Sequence, residues 1–285
     1  MAILGAHESI AGGYYKAVEI ARRVGCDCVQ LFTKNNNQWL AKPISDEEAG
    51  LFKAALKRLK IKHPVSHASY LINLATPDAE LWGKSIDSMI VEMQRAEQLG
   101  IPYVVVHPGA YTMSSLEAGL RRAAAALDEV HLQLPGLKAR VLLETTSGQG
   151  SCLGCRFEHL AEIIGGVQDP DRVAVCVDTC HIFSAGYALG TAKEYAATMS
   201  ELDKVVGLKL VKAIHLNDSK AKFGSGVDRH AHIGRGEMGV EPFRRLLNDR
   251  RFRRVPMYLE TKKGEEDGRD LDEINLEVLR GLIEA

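Results

Sequence analysis

Residues 211–232 read VKAIHLNDSKAKFGSGVDRHAH, and the fold follows from how this stretch is read. A short apolar run, Val211 to Ile214, stops at His215, and a Gly/Ser/Lys-rich segment then delivers Asp228 and His230 two residues apart. That is the pattern of a buried strand running into a loop loaded with metal-ligand side chains. Imidazole and carboxylate donors suit zinc or a similar divalent ion, and the absence of cysteine favours a catalytic site over a closed structural one. If so, other strands should end in the same residue types.

Strand character recurs at residues 3–5, 28–32, 64–66, 103–106, 140–143, 173–177, 212–214 and 256–259, eight runs in all. The residues that follow are His7 (one further on), Thr33, His67, His107, Glu144, Asp178, His215 and Glu260. The intervals suit one strand plus one crossover helix each. Capping-box patterns at Ser45…Glu48, Ser114…Glu117 and Thr191…Glu194 mark three helix starts. A fourth helix begins at Thr76-Pro77, carries Ile86, Met89, Ile90 and Met93 as a core stripe, and stops at Gly100 before Pro102. No linker or low-complexity tract interrupts the alternation. Buried strands alternating with helices predict an α/β fold, a single (β/α)8 TIM barrel over residues 1–285, with a metal site at the C-terminal mouth of the strands.

Composition agrees with this and limits the function. The chain has 285 residues, 46% of them hydrophobic, with a net charge of −1 and a pI near 6.8, so any nucleic-acid contact must come from a local basic patch. The N-terminus MAILGAHESIAGGYY lacks a signal peptide's basic start and apolar core, and no uncharged apolar run nears the roughly 18 residues of a membrane span. A cytoplasmic protein with no membrane contact is expected. Six cysteines are then expected as free thiols, and Cys152-Leu-Gly-Cys155, lacking a second pair, is not read as a zinc or redox site.

In such a barrel the strand ends face a common mouth, so His67, His107, Glu144, Asp178, His215 and Glu260 converge whatever their separation in sequence. His181 just past strand six, with Asp228 and His230, raises the set to nine. Any one of these residues alone would be read as a capping or hydrogen-bonded side chain; their shared position at strand ends makes them ligand candidates. Nine ligands suffice for two or three ions if a carboxylate bridges a pair, and paired ions suit hydrolysis of a phosphate ester. Gly234-Arg-Gly236-Glu-Met-Gly239 matches GxGxxG, but the polar segment before it offers no buried strand, so it is read as a flexible loop at the mouth and not as a dinucleotide site.

These residues also carry a resemblance. Phe32-Thr-Lys-Asn35 with Gln38-Trp39, His67-Ala-Ser-Tyr-Leu-Ile-Asn73, His107-Pro-Gly109, Val177-Asp-Thr-Cys-His181, His215-Leu-Asn-Asp218 and Val227-Asp-Arg-His230 resemble the endonuclease IV family of apurinic/apyrimidinic endonucleases. The likeness runs from strand two to strand eight. It implies three zinc ions: one on His67, His107 and Glu144, a second on Glu144, Asp178, His215 and Glu260, and a third on His181, Asp228 and His230. Manganese or iron is an alternative at one of the positions. Glu144, Glu260 and His107 are the implied catalytic residues, with a hydroxide between the first two ions as nucleophile. The implied reaction hydrolyses the phosphodiester 5′ to an abasic site in double-stranded DNA, leaving a 3′-hydroxyl and a 5′-deoxyribose phosphate. Trimming of blocked 3′ ends, action as a monomer and association with the nucleoid are further expectations.

The resemblance also implies DNA contacts by Lys34, Asn35, Asn37, Gln38 and Trp39 after strand two, and by Tyr70 and Leu71 after strand three. Lys220, Lys222 and Arg229 are candidate phosphate contacts. Tyr70 offers a flat face for stacking where a base is missing. The family commonly has arginine where this chain has Asn37 and Gly226. Two other readings use the same residues: a xylose-isomerase-like sugar isomerase, and a non-catalytic lesion-binding protein, which would need damaged ligands.

Overall fold

The computed structural model describes residues 2–284. Eight parallel strands, Ile3–Glu8, Cys28–Phe32, Lys62–His67, Tyr103–Val106, Arg140–Glu144, Val173–Asp178, Val211–His215 and Pro256–Leu259, are here numbered one to eight. They follow one another around a closed barrel, and the ring shuts where Ile3 to Ala6 pair with Pro256 to Leu259. Eight longer helices alternate with them on the outside: Tyr14–Arg23, Asp46–Leu59, Ala79–Leu99, Leu116–Gln133, Phe157–Gly166, Ala192–Val205, Glu241–Asn248 and Leu271–Gly281. The TIM barrel expected from the alternation is the fold observed. Among the described residues no helix is long and apolar enough to cross a membrane.

The local signals act much as read. Ser45 with Glu48 and Thr191 with Glu194 form reciprocal capping boxes, and Gly100 ends its helix in the left-handed conformation at φ 73°. One expected cap is displaced. Ser115, and not Ser114, accepts the Ala118 N–H, while Ser114 Oγ donates to the Tyr111 carbonyl and closes the preceding turn. The helix expected to begin at Thr76-Pro77 starts at Ala79 with Asp78 as its cap, and Thr76 Oγ1 accepts from Asp78 N just before it.

Period-two alternation divides each strand between two cores. Outward residues such as Val104, Val106, Leu143 and Val175 pack against the helices. Inward, Cys28, Val65, Val105, Leu142, Ala174, Cys176, Ala213 and Tyr258 fill the barrel's interior. Strand one contributes Gly5, where a Cβ would lie 2.1 Å from the Cys28 carbonyl oxygen, so only glycine fits. Two residues further along each strand comes the next inward position, above that apolar plug.

Candidate metal centre

The positions two residues beyond Gly5, Cys28, Val65, Val105, Leu142, Cys176, Ala213 and Tyr258 are His7, Gln30, His67, His107, Glu144, Asp178, His215 and Glu260. Six are predicted ligands. A short helix, Thr179–Ser184, springs from strand six with Asp178 as its N-cap, accepting from His181 N at 2.8 Å, and so places His181 beside the ring. Asp228 and His230 arrive on a hairpin in which Asp218–Ser219 pairs antiparallel with His230–Ala231. That hairpin and the short helix were not foreseen from the sequence.

Glu144 lies at the centre and is fully buried. Its Oε2 is 3.1 Å from His67 Nε2 and 3.1 Å from His107 Nε2, while its Oε1 is 2.8 Å from His215 Nδ1 and 3.3 Å from His181 Nδ1. One carboxylate therefore turns its two oxygens towards two groups of imidazoles. Glu260 Oε2 stands 3.1 Å from His215 Nδ1, and Asp178 Oδ2 3.8 Å from the same atom. On the other side, the two oxygens of Asp228 face His181 Nε2 at 3.2 Å and His230 Nε2 at 3.3 Å.

The ligand atoms of His67, His107 and Glu144 lie within 4.8 Å of one another, as do those of Glu144, Asp178, His215 and Glu260. Two further such groups are Asp178 with His181 and His230, and Cys180 with Asp228 and His230. The Cys180 thiol is pushed up to about 12 by burial and by Asp178, which makes it a poor donor beside the imidazoles. Cys152 and Cys155 belong to no such group among the described residues.

The donor set fits cations. Burial would raise the Glu144 carboxyl, but His215 and His107 hold it well below the usual range, and Glu260 is likewise lowered despite burial, by His215 and His7. The imidazoles respond in the opposite sense. Burial opposes their charging, yet Cys176, Glu260 and Glu144 drive His215 well above its ordinary value, and Asp178, Asp228 and Glu144 do the same to His181. Buried carboxylates in this number call for positive charge. The ring tautomers point the same way. His67, His181 and His230 each place Nδ1 on a backbone carbonyl, of Ala68, Thr145 and Glu260, which leaves Nε2 a lone pair aimed at the carboxylates. The Nε2 atoms of His181 and His230 are buried without a hydrogen-bond partner. A buried nitrogen beside a carboxylate, yet not bonded to it, is the geometry of an ion site.

The predicted DNA-facing residues divide. Asn35, Asn37, Gln38, Lys220, Lys222 and Arg229 lie at the surface, and Tyr70 is 56% exposed with its ring 5.2 Å from that of His67 and 6.0 Å from that of His107. Trp39 and Leu71 are half-buried. Lys34 departs from expectation: it is buried, with Nζ donating to Gln38 O at 2.7 Å and 3.3 Å from Glu92 Oε1, so its charge ties the loop down and does not face solvent. The GxGxxG segment, expected as a flexible loop, is tied to the hairpin by hydrogen bonds. Asp218 accepts from Gly236 N and Met238 N at 2.9 and 3.0 Å, and a Cβ at Gly236 would meet Ser219 O at 2.3 Å.

Residues 18–282 match the family model of the xylose isomerase-like TIM barrels. The chain is 50% identical over 281 residues to a probable endonuclease 4 of Chloroflexus aurantiacus, covering 99% of this chain and 98% of that protein. The structure of endonuclease IV from Thermus thermophilus has a TM-score of 0.86 at 37% identity, covering 98% of each chain. The D-psicose 3-epimerase of Clostridium cellulolyticum, at 15% identity and a TM-score of 0.70 over 99% of each chain, shares the fold alone. Barrel, ligand ring and near-complete coverage together place this chain in the endonuclease IV family of the xylose isomerase-like TIM barrels.

Proposed function

We propose that the protein, acting over residues 1–285 as one unit, is a zinc-dependent endonuclease that hydrolyses the phosphodiester 5′ to abasic sites in duplex DNA and also trims blocked 3′ ends. The observation that carries this is the double-faced carboxylate of Glu144, with imidazoles on both its oxygens and unpartnered His181 and His230 nitrogens nearby. His67, His107 and Glu144 would hold one ion, Glu144, Asp178, His215 and Glu260 a second, and His181, Asp228 and His230 a third. Such ions, when bound, lower the pKa of water towards about 7 and neutralise charge on the attacking and leaving oxygens of an in-line displacement.

The chain's own groups supply the rest. A cavity of about 370 Å³ opens beside the ligands, lined among others by Tyr70, Asn73, His107, Thr146, Ser147 and Asp228. It can receive an extruded sugar-phosphate, and an abasic nucleotide extrudes readily because it has no base to unstack. Tyr70 at the rim offers its ring to the gap left in the helix, and the buried pair of Lys34 with Glu92 braces the neighbouring loop that carries Asn35, Asn37 and Gln38. The apolar plug beneath closes the other side of the centre to water. We place the enzyme inside the cell, as a monomer on chromosomal DNA.

The test is metal content together with cleavage of a duplex carrying one abasic analogue. The wild type should bind three equivalents of zinc and cut 5′ to the lesion. Glu144→Gln should lose both cleavage and metal, because a neutral amide cannot bridge two cations as a carboxylate does, while DNA binding survives. Near-normal turnover by Glu144→Gln with its full metal complement would overturn the bridging role, and a wild type that leaves the abasic duplex intact would overturn the function.

A further inference from the structure

Two of the eight inward positions at the mouth, His7 and Gln30, belong to none of the ligand groups. Gln30 is fully buried, and both polar atoms of its side chain are engaged. Its Oε1 lies 2.8 Å from His215 Nε2, while its Nε2 bonds His7 Nδ1 at 2.9 Å and also the carboxylate of Glu260. The orientation of the amide is fixed by chemistry. Turned over, it would set its oxygen against the Glu260 carboxylate and its N–H₂ against the His215 N–H, so the acceptor must face His215.

This matters because His215 is reversed relative to three of its neighbours. His67, His181 and His230 give their Nδ1 protons to backbone carbonyls and keep Nε2 for the centre. His215 instead turns Nδ1 towards Glu144 and Glu260, and its Nε2 proton finds its acceptor in the side chain of Gln30. Backbone carbonyls are present whatever the sequence. The tautomer of His215 therefore depends on one replaceable amide, and the same amide holds Glu260 in place.

We infer that Gln30 is a positioning residue that orients both His215 and Glu260 for the ion they would share with Glu144 and Asp178. The inference rests on the proposed metal centre. Without this amide, the His215 N–H is buried with no acceptor, and the ring must rotate or change tautomer. The loss falls on one ion. His67 and His107 keep their geometry towards Glu144 Oε2, and the third group keeps Asp228, His181 and His230.

The test compares wild type with Gln30→Met, which preserves length and apolar volume but removes the amide, by zinc titration of the full chain and by the visible spectrum of the cobalt-substituted protein. The expected result is one zinc equivalent weakened about 10- to 100-fold with the other equivalents unchanged, and a cobalt spectrum altered at that equivalent alone. Should Gln30→Met not fold, Gln30→Asn, whose amide stops one methylene short, takes its place with the same expectation. Unchanged zinc affinity and an unchanged cobalt spectrum in the folded variant would overturn the inference. Neither measurement involves DNA, so a wild type that binds zinc but cuts no abasic duplex would sink the proposed activity and leave this assignment standing.

Discussion

Under the proposed function, Asn37 is a position where a single side chain would set DNA affinity without touching chemistry. It is exposed, and its backbone N–H is already held by Asn35 Oδ1 at 2.9 Å, so the loop's path does not depend on the Asn37 side chain. Asn37→Arg should therefore add a cation at the rim with little structural disturbance. Each further phosphate neutralised steepens the slope of log affinity against log salt by about 0.9, so the variant should bind abasic duplex more tightly and with greater salt dependence. Single-turnover cleavage at saturating enzyme should stay roughly constant, because docking and not the charge developing at phosphorus has changed. Affinity and slope that do not move would show that position 37 lies off the DNA path. Gly226 is a less suitable place for the same experiment. Its φ of 68° is left-handed backbone, which costs a side-chain-bearing residue about 1–2 kcal/mol before any neighbour is met.

The first strand and the last helix meet in a second charged arrangement. The alternation that turns His7 inward turns Glu8 outward, into the layer beneath Leu271–Gly281. There Glu8 Oε2 is 3.5 Å from Lys263 Nζ, which also pairs with Asp272 on that helix, and Glu8 Oε1 is buried without a partner. Burial raises the Glu8 carboxyl to about 7, with Lys263 opposing the shift and Asp272 adding to it. A raised acid favours the protonated form in the fold. Between the unfolded value of 4.5 and about 7 the native state holds the extra proton, so this contribution is lost as pH rises through that window. At pH 8 the penalty is on the order of 3 kcal/mol, which Glu8→Gln removes. Thermal melts should find Glu8→Gln more stable than wild type at pH 8, by roughly 5 °C, and close to it at pH 5. An equal difference at both pH values would show that ionisation of Glu8 is not the cause.

Across the whole molecule, the barrel could be read from the sequence because each apolar run stops at a residue no core would choose, at intervals that fit one helix. The candidate ligands His67, His107, Glu144, Asp178, His215 and Glu260 were legible for the same reason, since strand ends need no knowledge of long-range contacts. What escaped depends on such contacts. Lys34 looked like a surface cation because its partner Glu92 is 58 residues away along the chain and on another element. Gln30 sits inside the run Cys28–Phe32, where a polar residue two positions beyond an inward-facing cysteine was the available signal for the barrel's interior. Ser114 and Ser115 are adjacent hydroxyls, and only the turn at Tyr111 decides between them. The ring itself joins distant parts of the chain: strand eight pairs with strand one, and Glu260 follows directly on strand eight. A chain still leaving the ribosome thus carries His67, His107 and Glu144 long before it carries a complete centre. Fold and site are therefore coupled: a chain cut ahead of strand eight would have an open ring and lack Glu260 together, so truncation there is expected to remove barrel and centre at once.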